Sequence, residues 1–315
     1  MFFHFPATFH VLVRWRSIYL AGVLVFVGLA TGCGIREATP ATSPSRSFTD
    51  GLGRVVSVSP RPQRIVSLAP NLTEILFALG LDREIAGVTS YCDYPPEAAA
   101  KEKVGDTITP NLERIVALKP DLVVVTTSSQ LEALTRQLDR LGIPVFVTDP
   151  RTIREIIATI RQLGDVAGQP ERAAELAEEM ERRLAAVERR VRDLPRVRTL
   201  YLLQMNPLIG AGRKTFLNDL ITLAGGESIS GNEETDYPQF SRETVIARAP
   251  EAILFPTRHG GGSVNIEELR RVFATTPAVR FNRLVGVNPD WVDRPGPRII
   301  EGLEQIAQAL HPESP

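Results

Sequence analysis

Two acidic residues occupy equivalent positions in two copies of one sequence pattern. Glu113 lies within Asn-Leu-Glu-Arg-Ile-Val-Ala-Leu-Lys-Pro-Asp (111–121), and Glu243 lies within Ser-Arg-Glu-Thr-Val-Ile-Ala-Arg-Ala-Pro-Glu (241–251). Each Glu falls in the first turn of a predicted helix, where a carboxylate stabilises the helix dipole by about 0.3–1 kcal/mol. For either residue alone, stabilisation of its own helix is enough to explain a Glu at this position. The duplication adds a second hypothesis, in which each of two lobes presents one acid to a two-fold symmetric partner.

Two further segments combine aromatic and polar side chains with rigid, Pro-containing turns. One contains Tyr91, and the other contains Asp290, Trp291 and Arg294. Both follow predicted strands, and ligands of open α/β sheets bind beyond the carboxyl ends of strands. An aromatic face beside Asp290 and Arg294 suits a large, flat, partly charged ligand. Core packing of Trp291 and a surface position for Arg294 fit the sequence equally well.

The composition excludes several classes of protein. The chain has 36 Lys and Arg against 37 Asp and Glu, and this balance argues against a nucleic-acid binder. The sequence lacks the Gly-x-Gly-x-x-Gly, Walker and Gly-x-Ser-x-Gly motifs of common α/β enzymes. With 4 His and 2 Cys, it also offers few residues for a catalytic metal site. A two-lobed metal or cofactor enzyme and an adhesion lipoprotein are the rival hypotheses to a binding protein.

The N-terminus has the pattern of an export signal. Arg14 and Arg16 precede an apolar run of about 13 residues, which is short for a membrane span of roughly 20. The run ends in Leu-Ala-Thr-Gly-Cys at Cys33, which resembles a bacterial lipobox. We therefore expect removal of residues 1–32, lipidation of Cys33, and an exported protein anchored to the cell membrane. A signal peptide with an incidental Cys, or an uncleaved anchor, is the alternative.

The remaining chain predicts an α/β protein with two lobes. A flexible tether (37–47) and a short hairpin (48–59) make up most of a leading segment, residues 33–60. Strands then alternate with helices in an N-terminal lobe, residues 61–150, and again in a C-terminal lobe, residues 196–315, which is typical of parallel sheets. The fold class is therefore two similar parallel-sheet lobes joined by one long helix, with a ligand cleft between them.

The bridging helices are predicted within residues 151–195. From Pro170 to about Leu194, apolar residues recur every three or four positions on one face, which predicts a helix roughly 36 Å long. In the first lobe, a helix is predicted over residues 72–79, with Asn71 and Glu74 at capping-box spacing at its start.

Five segments together resemble the cobalamin and iron-chelate binding proteins of ABC importers. The resemblance is closest to the cobalamin-binding members and covers about residues 60–312. The segments are residues 65–74, 87–96, 111–121, 241–243 and 297–300. The resemblance implies a monomeric, non-catalytic receptor that holds a corrinoid or ferric chelate between its lobes and needs no cofactor of its own.

The resemblance also implies roles for individual residues. Glu113 and Glu243 would dock on Arg pockets of a dimeric ABC permease, which works with its ATPase. Thr107 and Thr126 stand where the cobalamin-binding members carry Trp, so a related corrinoid, a heme and a ferric siderophore are all retained as ligands. His259 is a candidate for reaching a metal centre, although a lone loop His is more often solvated. The expected ligand contacts are Pro70, Asn71, Tyr91, Asp290, Trp291 and Arg294.

Overall fold

The structure, a computed structural model, describes residues 45–129, 131–257 and 264–312. The predicted signal peptide, Cys33 and His259 lie outside these residues. Within them, no helix is both long and apolar enough to span a membrane.

The described chain opens with an antiparallel hairpin. Its strands are β1 (Arg46–Thr49) and β2 (Val55–Val58). The hairpin was predicted, but the tether was wrongly extended to residue 47. The Arg46 guanidinium donates hydrogen bonds to the carbonyl oxygens of Pro60, at 3.2 Å, and Asp165, at 2.5 Å. These contacts order residues whose local composition alone indicates a flexible segment.

The first lobe contains four parallel strands in the order β4-β3-β5-β6. Every residue of β5 is buried, as the run of β-branched residues predicts for a strand covered on both faces. The strands are β3 (Ile65–Ser67), β4 (Ile85–Val88), β5 (Leu122–Thr126) and β6 (Val145–Thr148). The helices of this lobe are α1 (Pro70–Ala78), α2 (Leu112–Ala117) and α3 (Glu132–Arg140).

The predicted capping box at the start of α1 is wrong. Ala69 is the N-cap residue, and Pro70 occupies the first helical turn, where its missing N–H leaves no donor unsatisfied. The Asn71 amide instead donates to the carbonyl oxygen of Pro295 at 3.2 Å. Glu74 is 4% exposed and binds two Arg side chains of the second lobe. Contacts with the other lobe therefore replace the local cap.

Two helices join the lobes: α4 (Ile153–Ala167) and α5 (Pro170–Val191). They run antiparallel, since Arg154 pairs with Glu188 at 2.7 Å and Arg161 pairs with Glu181 at 2.8 Å. The long helix is confirmed, although it ends at Val191, before the predicted Leu194. Its buried face consists of Ala173, Ala177, Met180, Leu184, Val187 and Val191.

The second sheet has five strands in the order β11-β10-β7-β8, with β9 also paired to β7. All pairs are parallel except β7 with β8. The strands are β7 (Val197–Gln204), β8 (Ile209–Gly210), β9 (Gly226–Ser228), β10 (Ala252–Pro256) and β11 (Leu284–Val287). The helices are α6 (Phe216–Leu223), α7 (Arg242–Arg248), α8 (Ile266–Val272), α9 (Pro277–Arg280), α10 (Pro289–Val292) and α11 (Ile299–Leu310).

One hydrophobic core runs from the first lobe through the bridging helices into the second. It includes Phe146 of β6, Ile157 of α4, Leu184 of α5, Leu254 of β10 and Leu303 of α11. Separate clusters fill the outer face of each sheet. Because close-packed interiors transmit strain rather than deform freely, this shared core holds the two sheets in a defined relation.

Candidate ligand-binding cleft

The carboxyl ends of the two sheets face a cavity of about 960 Å³ between the lobes. This volume lies in the range typical of small-molecule sites. The first lobe contributes Ala69, Pro70, Asn71, Tyr91, Asp93, Thr107, Ile108, Thr126 and Ser129. The second lobe contributes Thr257, Asn288, Pro289, Asp290, Trp291, Asp293, Arg294, Pro295 and Gln305. All six residues expected to contact ligand lie in this one lining.

The aromatic side chains approach the cavity from opposite lobes. Tyr91, in the loop after β4, is 59% exposed at the wall of the first lobe. Trp291 lies in α10, whose start is capped by the Asn288 side chain accepting from the Asp290 N–H at 2.9 Å. The indole is half-buried against the shared core while also lining the cavity. The two interpretations of Trp291, core packing and cleft lining, therefore both hold.

Beside this cavity, a cluster of five charged side chains connects the two lobes through ion pairs. We call Glu74, Asp93, Asp290, Arg294 and Arg298 the lobe-bridging cluster. Arg294 Nη1 lies 3.1 Å from Glu74 Oε1 and 2.8 Å from Asp93 Oδ1, and its Nη2 lies 3.0 Å from Asp290 Oδ1. Arg298 Nε and Nη2 donate to the two oxygens of Glu74 at 2.8 and 2.7 Å. Glu74 was missed as a site residue because its partners are distant in sequence.

Contacts within the lobe-bridging cluster shift the pKa values of Arg294 and Asp93. Burial alone would lower the pKa of Arg294, but its hydrogen bonds to Asp93 and Glu74 and the charge of Asp290 outweigh burial and raise it. Burial would likewise raise the pKa of Asp93, yet the hydrogen bond and charge of Arg294 bring it below its usual value. Arg294 has a side chain only 18% exposed, so the surface interpretation of this residue is wrong.

A second chamber of about 670 Å³ adjoins the first, and the two share Thr126, Asp293 and Pro295 in their walls. The Arg151 guanidinium spans the lobes here, with Nε 3.0 Å from Asp149 and Nη1 2.6 Å from Asp236. The sequence analysis missed this chamber, although Asp149 follows β6 directly and so obeys the same strand-end rule. Its other charged or aromatic lining residues are Lys214, Phe216, Glu234 and Tyr237.

The two duplicated segments lie in separate lobes at the cleft edge. Glu113 and Glu243 are exposed in the first turns of α2 and α7. The strands after these helices, β5 and β10, lead at their carboxyl ends to Thr126 and Thr257 of the cavity lining. In an α/β unit a helix that precedes a strand begins at that strand's carboxyl edge. Both acids are therefore at the edge of the sheets where the cleft opens.

The residues that replace aromatic side chains are also in the cavity. Thr107 and Thr126 both line its first-lobe wall, and each is much smaller than the indole expected from the resemblance.

Among the described residues, no three His, Cys, Asp or Glu side chains are grouped to hold a metal ion. The described Cys92 is buried, with the Thr73 and Thr89 hydroxyls each 3.1 Å from its sulfur.

Comparison with known proteins identifies the family. The family model described as periplasmic binding protein matches residues 65–290. The vitamin B12-binding protein of Salmonella typhimurium is 37% identical over 247 residues, covering 78% of this chain and 90% of that protein. An uncharacterised ABC transporter substrate-binding lipoprotein of Bacillus subtilis, YvrC, is 30% identical over 315 residues, covering 95% of this chain and 97% of the relative.

Solved structures share the architecture. The periplasmic vitamin B12 binding protein BtuF of Vibrio cholerae superposes with a TM-score of 0.72 at 30% identity, covering 79% of this chain and 96% of that one. The periplasmic heme-binding protein RhuT of Roseiflexus superposes with a TM-score of 0.72 at 28% identity, covering 79% and 98%. The chain therefore belongs to the periplasmic binding protein family, a family of transport receptors rather than enzymes.

Proposed function

We propose that this protein is the substrate-binding lipoprotein of an ABC importer and that it captures a cobalamin-like corrinoid. The cavity between the lobes is the observation that carries the proposal, because both lobes supply aromatic and polar groups to it. The 37% identity to a vitamin B12-binding protein over 90% of that protein supports the choice of ligand.

The predicted ligand contacts have complementary chemistry. The Trp291 indole and the Tyr91 ring offer apolar faces to a flat macrocycle from opposite sides of the cavity. The Asp290 carboxylate is an acceptor for amide N–H groups, which surround a corrin ring. Pro70 and Asn71 form a rigid helix start in the cavity wall, and Arg294 is fixed by its ion pairs. Side chains held by ion pairs, as Arg294 is, lose little conformational freedom when a ligand binds, which lowers the entropic cost of binding.

A heme or ferric siderophore is the second candidate ligand. The observation that favours it is the pair of Thr107 and Thr126, which leave the first-lobe wall without the aromatic surface expected for cobalamin. The heme-binding RhuT also superposes as well as the vitamin B12-binding BtuF, each with a TM-score of 0.72.

Delivery and anchoring complete the proposal. Glu113 and Glu243 would engage basic pockets on the two permease subunits, since both acids are exposed at the cleft edge. Cys33 would carry the lipid that anchors the exported protein to the membrane. The Leu-Ala-Thr-Gly-Cys motif supports this role, as does the lipoprotein name of the Bacillus subtilis relative.

Titration of the purified protein with corrinoids, hemes and ferric siderophores tests the proposal. We expect one corrinoid to bind in a saturable, one-to-one manner by calorimetry. Trp291→Ala should weaken that binding by about tenfold or more, as for buried aromatic anchors, whereas Trp291→Phe should stay close to the wild type. If no chelate of these classes binds, the proposed function is wrong. If binding is unaffected by Trp291→Ala, the ligand lies elsewhere.

A further inference from the structure

The charges around the cleft are unbalanced. In the first cavity, the carboxylates of Asp93, Asp290 and Asp293 face the single guanidinium of Arg294. In the second chamber, the additional charged groups are the carboxylates of Asp149, Glu234 and Asp236 and the cations Arg151 and Lys214. Six carboxylates thus face three cations among the described lining residues, an acidic excess of three charges.

Each of these three cations is already paired with an acid. Arg294 binds Asp93 and Asp290 in the lining, and Glu74 behind it. Arg151 pairs through Nε with Asp149 at 3.0 Å and through Nη1 with Asp236 at 2.6 Å. Lys214 Nζ lies 3.3 Å from Glu234 Oε2. An anionic ligand would therefore meet cations whose charge is already offset by a neighbouring carboxylate.

Burial and the neighbouring carboxylates affect the Tyr237 phenol in the same wall. Desolvation of the Tyr237 phenol, together with the charges of Asp236 and Asp293, raises its pKa. A phenol is uncharged at neutral pH even without this shift, so Tyr237 adds no charge to the chamber wall.

From this geometry we infer that the cleft selects its chelate by charge, taking uncharged or cationic complexes and rejecting anionic ones. The inference deepens the proposed function and rests on it. A cleft with an excess of one sign of charge raises the local concentration of ligands of the opposite charge. Specificity of this kind comes as much from repelling the wrong ligand as from attracting the right one.

The candidate ligands differ in the charges that they would bring to the acidic lining. A corrinoid carries amide groups around its ring, and their N–H groups can donate to the Asp290 and Asp293 carboxylates. A heme carries two propionates, and a ferric tris-catecholate is trianionic, so both would bring negative charge against the acidic lining. The structure therefore favours the corrinoid among the ligands considered, together with cationic ferric complexes.

Ligand pairs that differ in charge but share a ring test the inference. One pair is a corrinoid without its nucleotide loop, as the uncharged dicyano form and the cationic diaquo form. The other is heme with free propionates and heme with both propionates amidated. We expect the more positive member of each pair that binds to bind more tightly, by about tenfold at low salt, and the difference to shrink at high salt. Equal or tighter binding of the less positive member of a pair overturns the inference but leaves the proposed function intact.

A variant expected to bind one ligand more tightly is a useful second test, because misfolding would weaken binding and could not produce such a gain. Asp236→Asn with Asp290→Asn removes two carboxylates and loosens the pairing of Arg151 and Arg294. We expect the affinity for free-propionate heme, relative to amidated heme, to rise by about tenfold. Glu171→Gln, an exposed acid on α5 outside the lining, should leave that ratio unchanged. An unchanged ratio in the double variant overturns the inference, and failure of every chelate to bind the wild type overturns the proposed function as well.

Discussion

At the scale of single residues, Glu74 has the largest consequence for the site. It lies inside α1, its side chain is 3% exposed, and it pairs with Arg294 and Arg298 of the other lobe. A buried carboxylate between two guanidiniums compensates charges that would be costly if left alone. It also fixes the direction of Arg294, which turns its other contacts to Asp93 and Asp290 at the cavity.

Glu74→Gln should destabilise the protein by about 3 kcal/mol, because it leaves two partly buried guanidiniums without their shared anion. Urea denaturation at neutral pH measures the free energy of unfolding. Glu97→Gln, at an exposed position of the same lobe, is the matched control and should change it by less than about 0.5 kcal/mol. A loss in Glu74→Gln no larger than that of the control would show that the lobe-bridging cluster contributes little to stability.

At the scale of elements, α5 joins the lobes by burying one continuous face. Sequence periodicity alone located this face, because a regular helix repeats its buried positions every three or four residues. The short elements β8, β9, α9 and α10 were missed. With two to four residues each, they contain too few positions for any period to be visible, and tertiary pairing defines them.

Leu184→Ala should destabilise both lobes together. Leu184 is 1% exposed within the core that the lobes share, and such a truncation typically costs about 2–5 kcal/mol. Arg182→Ala, whose side chain is 74% exposed on the same helix, should cost less than about 0.5 kcal/mol. Thermal unfolding of Leu184→Ala should remain a single transition at a lower temperature. Two separated transitions would mean that the lobes unfold independently and that α5 is not a common support.

At the scale of the whole molecule, the two lobes place equivalent helices on either side of one cleft. The duplicated segments end in β5 and β10, which belong to two different sheets. This arrangement presents Glu113 and Glu243 as a pair at the edge that would face a permease. The first acid-containing helix begins after a loop with Thr107 and Ile108 in the cavity lining, so ligand and permease would meet the same edge of the protein.

Charge reversal at both acids, Glu113→Arg with Glu243→Arg, should abolish transport while ligand affinity stays at the wild-type value. The reason is that each introduced Arg would repel the basic permease pocket that the Glu is proposed to bind. Uptake by the reconstituted permease and ATPase measures transport, and calorimetry measures affinity. Glu171→Arg, also an exposed Glu in a first helical turn, serves as the control. Reduced ligand affinity in the double variant would assign the acids to the pocket instead of the docking surface.

By itself, the sequence determined the alternation of strands and helices, the duplicated unit, the long bridging helix and the cavity-lining positions of Tyr91, Asp290, Trp291 and Arg294. These features depend on periodicity and on the rule that ligands bind at strand ends, both of which are local in sequence. Only the tertiary structure decided that Glu74 meets Arg294, 220 residues away, and that Arg151 reaches Asp236, 85 residues away. Such pairs follow from how the two sheets pack on a shared core, and no pattern within a short segment records that packing.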